Sequence, residues 1–314
     1  MHSRSSSHSN AVDAEPGELK RMRPLLGTFV EIRASGAVAR LENAVRAAFA
    51  AIERVQRLMS FHDPHSDVSR INAAQSGEPL CVDPETHAVL RAARSFGVLS
   101  DGIFDIASAA TLVRHGLLPY SPGVQAVRSG ATYRDLELLQ ENRIRWHRKG
   151  WIDLGGIAKG YAVDRAVETL RSHGLASGIV NAGGDLRCFG ESQLIHLRAA
   201  KDPIALLQLG VLADAAIATS ADYFSSRESG AARVGALVDP RRAQCVAWEG
   251  SVSVVARDCM SADALTKVIA LAPEYAPRLL ERLDAQAFIA DHQGIQVCGR
   301  QWLCPTSPDV GIAA

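Results

Sequence analysis

Two glycine pairs in this sequence stand where a chain could meet an anion. Asp153-Leu154-Gly155-Gly156-Ile157-Ala158-Lys159-Gly160-Tyr161 reads as a strand end, a glycine turn and a helix start, with Asp164 one turn further on. Such a junction points unpaired N–H groups outward, and with a lysine beside it suits a phosphate. It is not a Walker-type loop, because the G-x-x-x-x-G-K-[ST] spacing is absent. A tight turn that lets helix and sheet approach closely explains the same glycines. Val180-Asn181-Ala182-Gly183-Gly184-Asp185 again delivers a strand into glycines. Asn181 and Asp185 would meet the polar edge of a ligand there, or the segment is a plain β-turn.

Hydroxyls and carboxylates follow. Thr219-Ser220-Ala221-Asp222-Tyr223 is a hydroxyl-rich strand end, and Ala236-Leu237-Val238-Asp239-Pro240-Arg241 lies beyond it; hydroxyls in such a place often only cap the next turn. In Cys259-Met260-Ser261-Ala262-Asp263-Ala264-Leu265-Thr266-Lys267, Ser261 is predicted to cap a helix and to put Asp263 in its first turn. A carboxylate there suits Mg²⁺, a hard cation. The plainer reading is dipole complementarity plus an Asp263 to Lys267 pair at i, i+4. His62, Asp63 and His65 suggest zinc, but no third and fourth ligand follow at usable spacing. Cys259, Thr219 and Ser220 have no histidine placed by sequence to activate them, so a covalent enzyme intermediate is not expected.

The elements that must hold these groups follow from periodicity. Thr28-Phe29-Val30-Glu31-Ile32 alternates as a half-buried strand, and Leu41, Val45, Ala48, Ile52, Val55 and Met59 recur at helical spacing over residues 39–59. Ser66 and Asp67 are expected to cap a short helix after the loop that starts at Met59. Further helices are predicted over 84–100, with Asp83 as N-cap, and over 105–115, 158–173, 261–271 and 275–283. Strands are predicted over 177–181, 194–199, 215–219, 235–238 and 251–256, with short strands and turns over 125–148. Helices and strands mix without strict alternation, which favours α+β, mixed sheets with packed helices in two intertwined subdomains, over a doubly wound sheet. Residues 1–22, rich in Ser and His, are expected to be disordered; 23–300 form the folded unit and 301–314 a tail.

Length and charge bound the rest. A chain of 314 residues with 47% apolar residues buries a real core, and 34 Lys+Arg against 34 Asp+Glu leave a formal charge of +0. That balance provides no general field for DNA, RNA or an anionic bilayer. Eight Phe, five Tyr and four Trp are too few to suggest stacking platforms. The apolar stretch 204–221 raises the question of a membrane span, but Asp214 and Gly210 interrupt it. Cys81, Cys188, Cys245, Cys259, Cys298 and Cys304 form no C-x-x-C pair and read as buried thiols of a reducing compartment. A soluble cytoplasmic protein is expected, with no nucleic-acid partner and no membrane insertion.

Taken in order, the segments resemble the ApbE family, the FAD:protein FMN transferases, over residues 24–283. Leu26-Gly27-Thr28 matches the family's (M/L)GT start, Met59 to Asn72 its M-S-x-(aromatic)-D-P-x-S-(E/D)-(L/V)-S-R-(apolar)-N, and Gly102-Ile103-Phe104-Asp105 its G-x-F-D. Asp153 to Asp164 matches D-L-G-G-I-A-K-G-Y-A-V-D throughout. N-A-G-G-D, T-S-(G/A)-D-Y, (I/V)-D-P-R and (A/D)-D-A-L follow at Asn181, Thr219, Val238 and Ala262.

The resemblance implies a protein that binds FAD with Mg²⁺, passes FMN to a Thr or Ser hydroxyl of an acceptor protein and releases AMP. The alternatives are hydrolysis of FAD to FMN and AMP, or FAD binding without catalysis. It implies that Leu26, His62, Ile103, Phe104, Asp105, Lys159, Ala236 and Leu237 line the dinucleotide site. Asn181, Gly183, Gly184, Asp185, Thr219, Ser220 and Asp222 complete that site by their place in the motifs. Gly156 and Asp263 fall at the metal, and Asp263, Lys267 and Lys159 are the candidates for catalysis.

Three positions depart from the family pattern: His62 where Tyr or Trp is usual, Ala236 where a histidine is common, and Lys267 where a metal-binding Thr is usual, Thr266 lying one place early. A protonated lysine cannot coordinate Mg²⁺, yet its ammonium fills similar space. Lys267 is therefore expected to pair with Asp263 and to weaken or replace the metal requirement. The alternatives are Thr266 reaching in, against the roughly 100° between adjacent helical residues, or a solvated Lys267 and lost activity.

Overall fold

The computed structural model describes residues 15–119, 130–198, 206–221, 227–229, 232–248 and 250–303. Among them, eight strands build the main sheet, numbered here along the chain: β1 (Pro16–Leu25), β2 (Thr28–Ala37), β3 (Ser177–Ala182), β4 (Asp185–Phe189), β5 (Ala216–Ala221), β6 (Ser251–Ala256), β7 (Gln286–Asp291) and β8 (Gly294–Gly299). Their order across the sheet is their order in the chain. Every pairing is antiparallel. The helices are α1 (Val38–Met59), α2 (Asp67–Ala73), α3 (Pro84–Leu99), α4 (Ala109–Arg114), α5 (Ala158–Ser172), α6 (Cys259–Leu271) and α7 (Ala276–Arg282). The α+β class expected from the sequence is what the chain forms.

The sheet is covered on both faces. β2 alternates as its sequence requires, burying Val30, Ile32 and Ala34. These join Val180, Ala218, Val252 and Val254 and the apolar stripes of α1, α5 and α6 in one cluster. All six stripe residues read from the sequence of α1 are buried. On the other face Cys188, Ile217, Val255 and Phe288 pack with Ile195, Leu197, Leu209 and Leu212 of a two-stranded ribbon, Gln193–Arg198 and Leu206–Leu212. β6 is buried along its whole length, as a strand covered on both sides must be.

α1 to α5, together with a three-stranded sheet of Leu80–Cys81, Arg143–Trp146 and Leu136–Leu138, lie between β2 and its sheet neighbour β3. No helix among the described residues is long and apolar enough to cross a membrane, and the questioned stretch 204–221 contains a ribbon strand and β5.

Several expectations need correction. Pro16 to Met22 are not disordered: they belong to β1, which pairs with β2 from Pro16↔Ala37 to Leu25↔Thr28. The segment is too charged to read as a strand, but an edge strand needs only one hydrogen-bonded neighbour. Lys20–Glu31, Arg21–Glu42 and Arg23–Glu53 ion pairs use its charges. Residues 1–14 lie outside the described residues. The helix predicted over 105–115 is a 3₁₀ turn, Ile106–Ser108, followed by α4, because Asp105 turns the chain by accepting the Ala107 N–H at 2.8 Å.

α6 begins at Cys259, not at Ser261: Asp258 is the N-cap and accepts the Ser261 N–H at 2.7 Å, so Asp263 sits beyond the first turn. The tail does not start at 301, for Leu303 is buried and Trp302 packs beside it; residues 304–314 lie outside the described residues. Asp83 and Ser66 are N-caps as expected, accepting from Glu85 and Ser69.

Candidate functional site

The first glycine turn is held by residues far away in sequence. Trp151 to Leu154 form no strand, so their backbone groups need other partners. Asn72, buried at the end of α2, supplies both: its Nδ2 donates to the Ile152 carbonyl at 2.9 Å, and its Oδ1 accepts the Ile152 N–H at 2.7 Å. The Asp153 N–H donates to Ile106 O at 2.9 Å. The chain then turns through Gly155 and Gly156, with the Ile157 and Ala158 N–H groups on the Leu154 carbonyl, into α5.

α5 and α6 cross so closely that a Cβ on Gly160 would come within 2.3 Å of the Cys259 carbonyl, which is why a glycine stands there. Asp164 locks the crossing by accepting the Cys259 and Met260 N–H groups, each at 2.9 Å, and the Arg187 guanidinium at 2.8 Å. Burial pushes the Asp164 carboxyl up to about 6, against the charge of Arg187 and the two amides.

That crossing assembles a buried ionic cluster. Asp263 Oδ1 accepts from Lys267 Nζ at 2.5 Å and Oδ2 from the Gly160 N–H at 3.1 Å. Lys267 also donates to Thr266 Oγ1 at 3.0 Å, and that hydroxyl donates to the Asp263 carbonyl at 2.7 Å. Lys159 Nζ meets Asp185 Oδ2 at 2.5 Å, while Asp185 Oδ1 is buried without a hydrogen-bond partner. Burial would raise Asp263, but Lys267 and Lys159 outweigh it and hold the carboxyl below the usual range. Burial would likewise lower Lys159, and Asp185 and Asp263 reverse this and keep it charged. Burial, then the charge of Asp263, push Asp185 up against the two lysines. The two carboxylates are fully buried, whereas the side chains of Lys159 and Lys267 are 29% and 20% exposed.

A cavity of about 280 Å³ opens beside the cluster. Its walls include Asp153, Gly155, Gly156 and Lys267 on one side and Ile103, Phe104, Asp105, Ser220, Ala236 and Leu237 elsewhere. A side chain on Gly156 would touch both Lys267 and Phe104 at 3.6 Å, so these three residues are neighbours. Asp105 accepts the Ala107 and Tyr133 N–H groups, and burial pushes its carboxyl up to about 6. Ser108, Leu112, Leu117, Leu118, Val246, Trp248 and Leu271 also line it. None of these was singled out from the sequence. Leucines and a tryptophan in loops and helix ends carry no pattern that separates a cavity wall from a core.

The remaining candidates lie elsewhere. Leu26 and Gly27 make the left-handed turn between β1 and β2, at φ 56° and 72°, and the Leu26 N–H donates to Gln56 Oε1 at 2.6 Å. Gly183 and Gly184 make the turn between β3 and β4, also at positive φ, with the Gly184 N–H on Asn181 Oδ1 at 3.0 Å. Asn181 thus closes its own turn. A Cβ on Gly183 would strike Thr28, so the two turns are adjacent. Thr219 exchanges a hydrogen bond with Ser253 at 2.8 Å. His62 is exposed, and burial pushes the Asp153 carboxyl up. Leu26, His62, Lys159, Asn181, Gly183, Gly184, Asp185, Thr219 and Asp263 do not line the cavity itself. Of these, Lys159, Asp185 and Asp263 reach it through the cluster that carries Lys267. Asp222 lies outside the described residues.

The Mg²⁺ expected at Gly156 and Asp263 does not fit this donor set. Both Asp263 oxygens are engaged, one by an ammonium group, and the Thr266 hydroxyl is engaged twice. Among the described residues no three His, Cys, Asp or Glu side chains gather as a metal site. A divalent ion placed there would have to displace Lys267 and stand near a second ammonium group, Lys159.

In this antiparallel α+β fold, a cavity with an apolar wall facing a glycine turn and a fixed ammonium group suits a part-apolar, anionic small molecule. A sequence model of the ApbE family matches residues 26–289, and the chain belongs to that family. It is 26% identical over 229 residues to a Vibrio cholerae protein named FAD:protein FMN transferase, covering 68% of this chain and 69% of that one. A Rhodobacter capsulatus protein of the same name is 27% identical over 285 residues; the match takes in 84% of this chain and 54% of the relative. Among solved structures, the ApbE protein of Thermotoga maritima superposes with a TM-score of 0.76 at 27% identity, covering 88% of this chain and 96% of that chain.

Proposed function

We propose that this protein transfers the FMN moiety of FAD to a Thr or Ser hydroxyl of an acceptor protein and releases AMP. The observation that carries this reading is the meeting, at one cavity, of the 155–156 turn, the lysine on Asp263 and the apolar wall around Phe104 and Leu237. Relatives named FAD:protein FMN transferase supply the substrate and the acceptor class.

In the reaction the acceptor's hydroxyl oxygen forms a bond to the phosphorus of the FMN half. The bond from that phosphorus to the bridging oxygen breaks, AMP leaves with the oxygen, and the hydroxyl proton passes to solvent. Negative charge gathers on the departing phosphate, and Lys267, fixed before the ligand arrives, stabilises it without reorganising. Lys159 strengthens that field from behind. Phe104, Leu237 and Trp248 supply apolar surface for a planar ring. No step is routed through a metal. Free thiols at Cys81, Cys188, Cys245, Cys259 and Cys298 support a reducing compartment, the cytoplasm, for this chemistry.

Incubating the protein with FAD and a co-expressed acceptor that presents a Thr tests the reading. The expected result is an acceptor heavier by one FMN residue and AMP in equal amount. AMP and free FMN at the same rate without acceptor would mean water takes the hydroxyl's place and the protein is a hydrolase. FAD binding with no AMP at all would leave a flavin-binding protein.

A further inference from the structure

We propose that this chain holds the FAD pyrophosphate without a divalent cation, the Lys267 ammonium group standing where positive charge is needed. The inference rests on the FAD reading above and deepens it.

The donor count of the ammonium group is the first ground. A lysine has three N–H donors. Lys267 gives one to Asp263 Oδ1 at 2.5 Å and one to Thr266 Oγ1 at 3.0 Å, which leaves a third on a residue that lines the cavity. Thr266 is itself tied to the Asp263 carbonyl, so the group is aimed by two anchors on one rigid helix turn. The layering of charge is the second ground. The carboxylates of Asp263 and Asp185 are fully buried, and their lysines sit on the more exposed side. A ligand entering the cavity therefore meets the positive end of the Lys267–Asp263 pair, whose carboxylate is buried behind it; the Lys159–Asp185 pair does not line the cavity. Each carboxylate of the cluster is already paired with a lysine, so a divalent ion at Asp263 would have to displace the Lys267 ammonium group from a buried ion pair.

The test measures FAD affinity of the purified full chain in EDTA and in excess Mg²⁺, by quenching of flavin fluorescence. It is repeated with Lys267→Thr, which removes the ammonium group and frees Asp263 Oδ1. Wild type is expected to bind FAD equally in both buffers, within about threefold, and Lys267→Thr to lose at least about tenfold in EDTA. A wild type that loses more than about threefold in EDTA overturns the proposal, with or without a folded variant. So does a folded Lys267→Thr protein whose affinity in EDTA is unchanged. Electron paramagnetic resonance of added Mn²⁺, without FAD, gives a second readout: wild type is expected to leave the ion free, and stoichiometric immobilisation overturns the proposal. If FAD binds in neither buffer, the FAD reading fails by itself, and the Mn²⁺ spectra still decide the claim about the cation.

Discussion

Asp105 places a carboxyl in a cavity wall, where two amide N–H groups and the charge of Arg134 oppose the cost of its burial. Its Oδ1 accepts from Ala107 and Tyr133, yet burial lifts the carboxyl from its ordinary 3.8 to about 6. A carboxyl raised on folding binds its proton more tightly in the native state. Its ionisation therefore costs stability above about pH 6, and the cost fades as pH falls toward 4. Asp105→Asn keeps the oxygen that accepts both amides and removes the charge. It is expected to be more stable than wild type by roughly 3 kcal/mol at pH 8, the difference closing below about pH 4, measured by urea unfolding. Equal stability at both pH values would contradict this placement of Asp105. At this scale the sequence was most legible in the spacing of Asp263 and Lys267, whose i, i+4 ion pair forms. It was least legible for Asn181, whose side chain folds back on Gly184, and for Asn72, which was seen only as the end of a motif.

Asn72 acts at the scale of elements. A two-bond clamp on Ile152 couples α2 to the segment that enters the glycine turn, and without it two backbone groups in a buried place lose their partner. Asn72→Ala is expected to lower stability by about 2 to 4 kcal/mol, read by denaturant unfolding, and to weaken FAD binding as the turn loosens. A variant with unchanged stability would show that the clamp is redundant. Helices were legible because their stripes recur at three and four: every stripe residue read for α1 is buried. The start of α6 was not, because Ser261 is as good a cap as Asp258 on local grounds. What selects Asp258 is tertiary, the pull of Asp164 on the Cys259 and Met260 amides. β1 escaped for a similar reason: its charged sequence hides a strand that ion pairs and one neighbour hold in place. β7 and β8 carry too mixed a pattern to announce themselves, and β7 is made by pairing on both sides.

At the scale of the molecule, adjacent strands are far apart in sequence. β2 ends at Ala37 and its partner β3 begins at Ser177, with α1 to α5 between them. No local signal reports such a pairing, so the antiparallel order of the sheet could not be read from the sequence, although the mixture of helices and strands could. No local signal announces that the 153–160 and 259–267 segments meet either. The form of that meeting, a cluster of two acids and two lysines under a cavity, follows from the tight crossing of α5 and α6.

FAD is expected to lie in this cavity with its pyrophosphate on the 155–156 turn. A crystal structure of the chain with FAD is the most direct measurement. The expected result is a phosphate oxygen within hydrogen-bond distance of Lys267 Nζ and the apolar wall around Phe104 against a planar ring. A flavin dinucleotide seated elsewhere, with Lys267 still facing solvent, would contradict it.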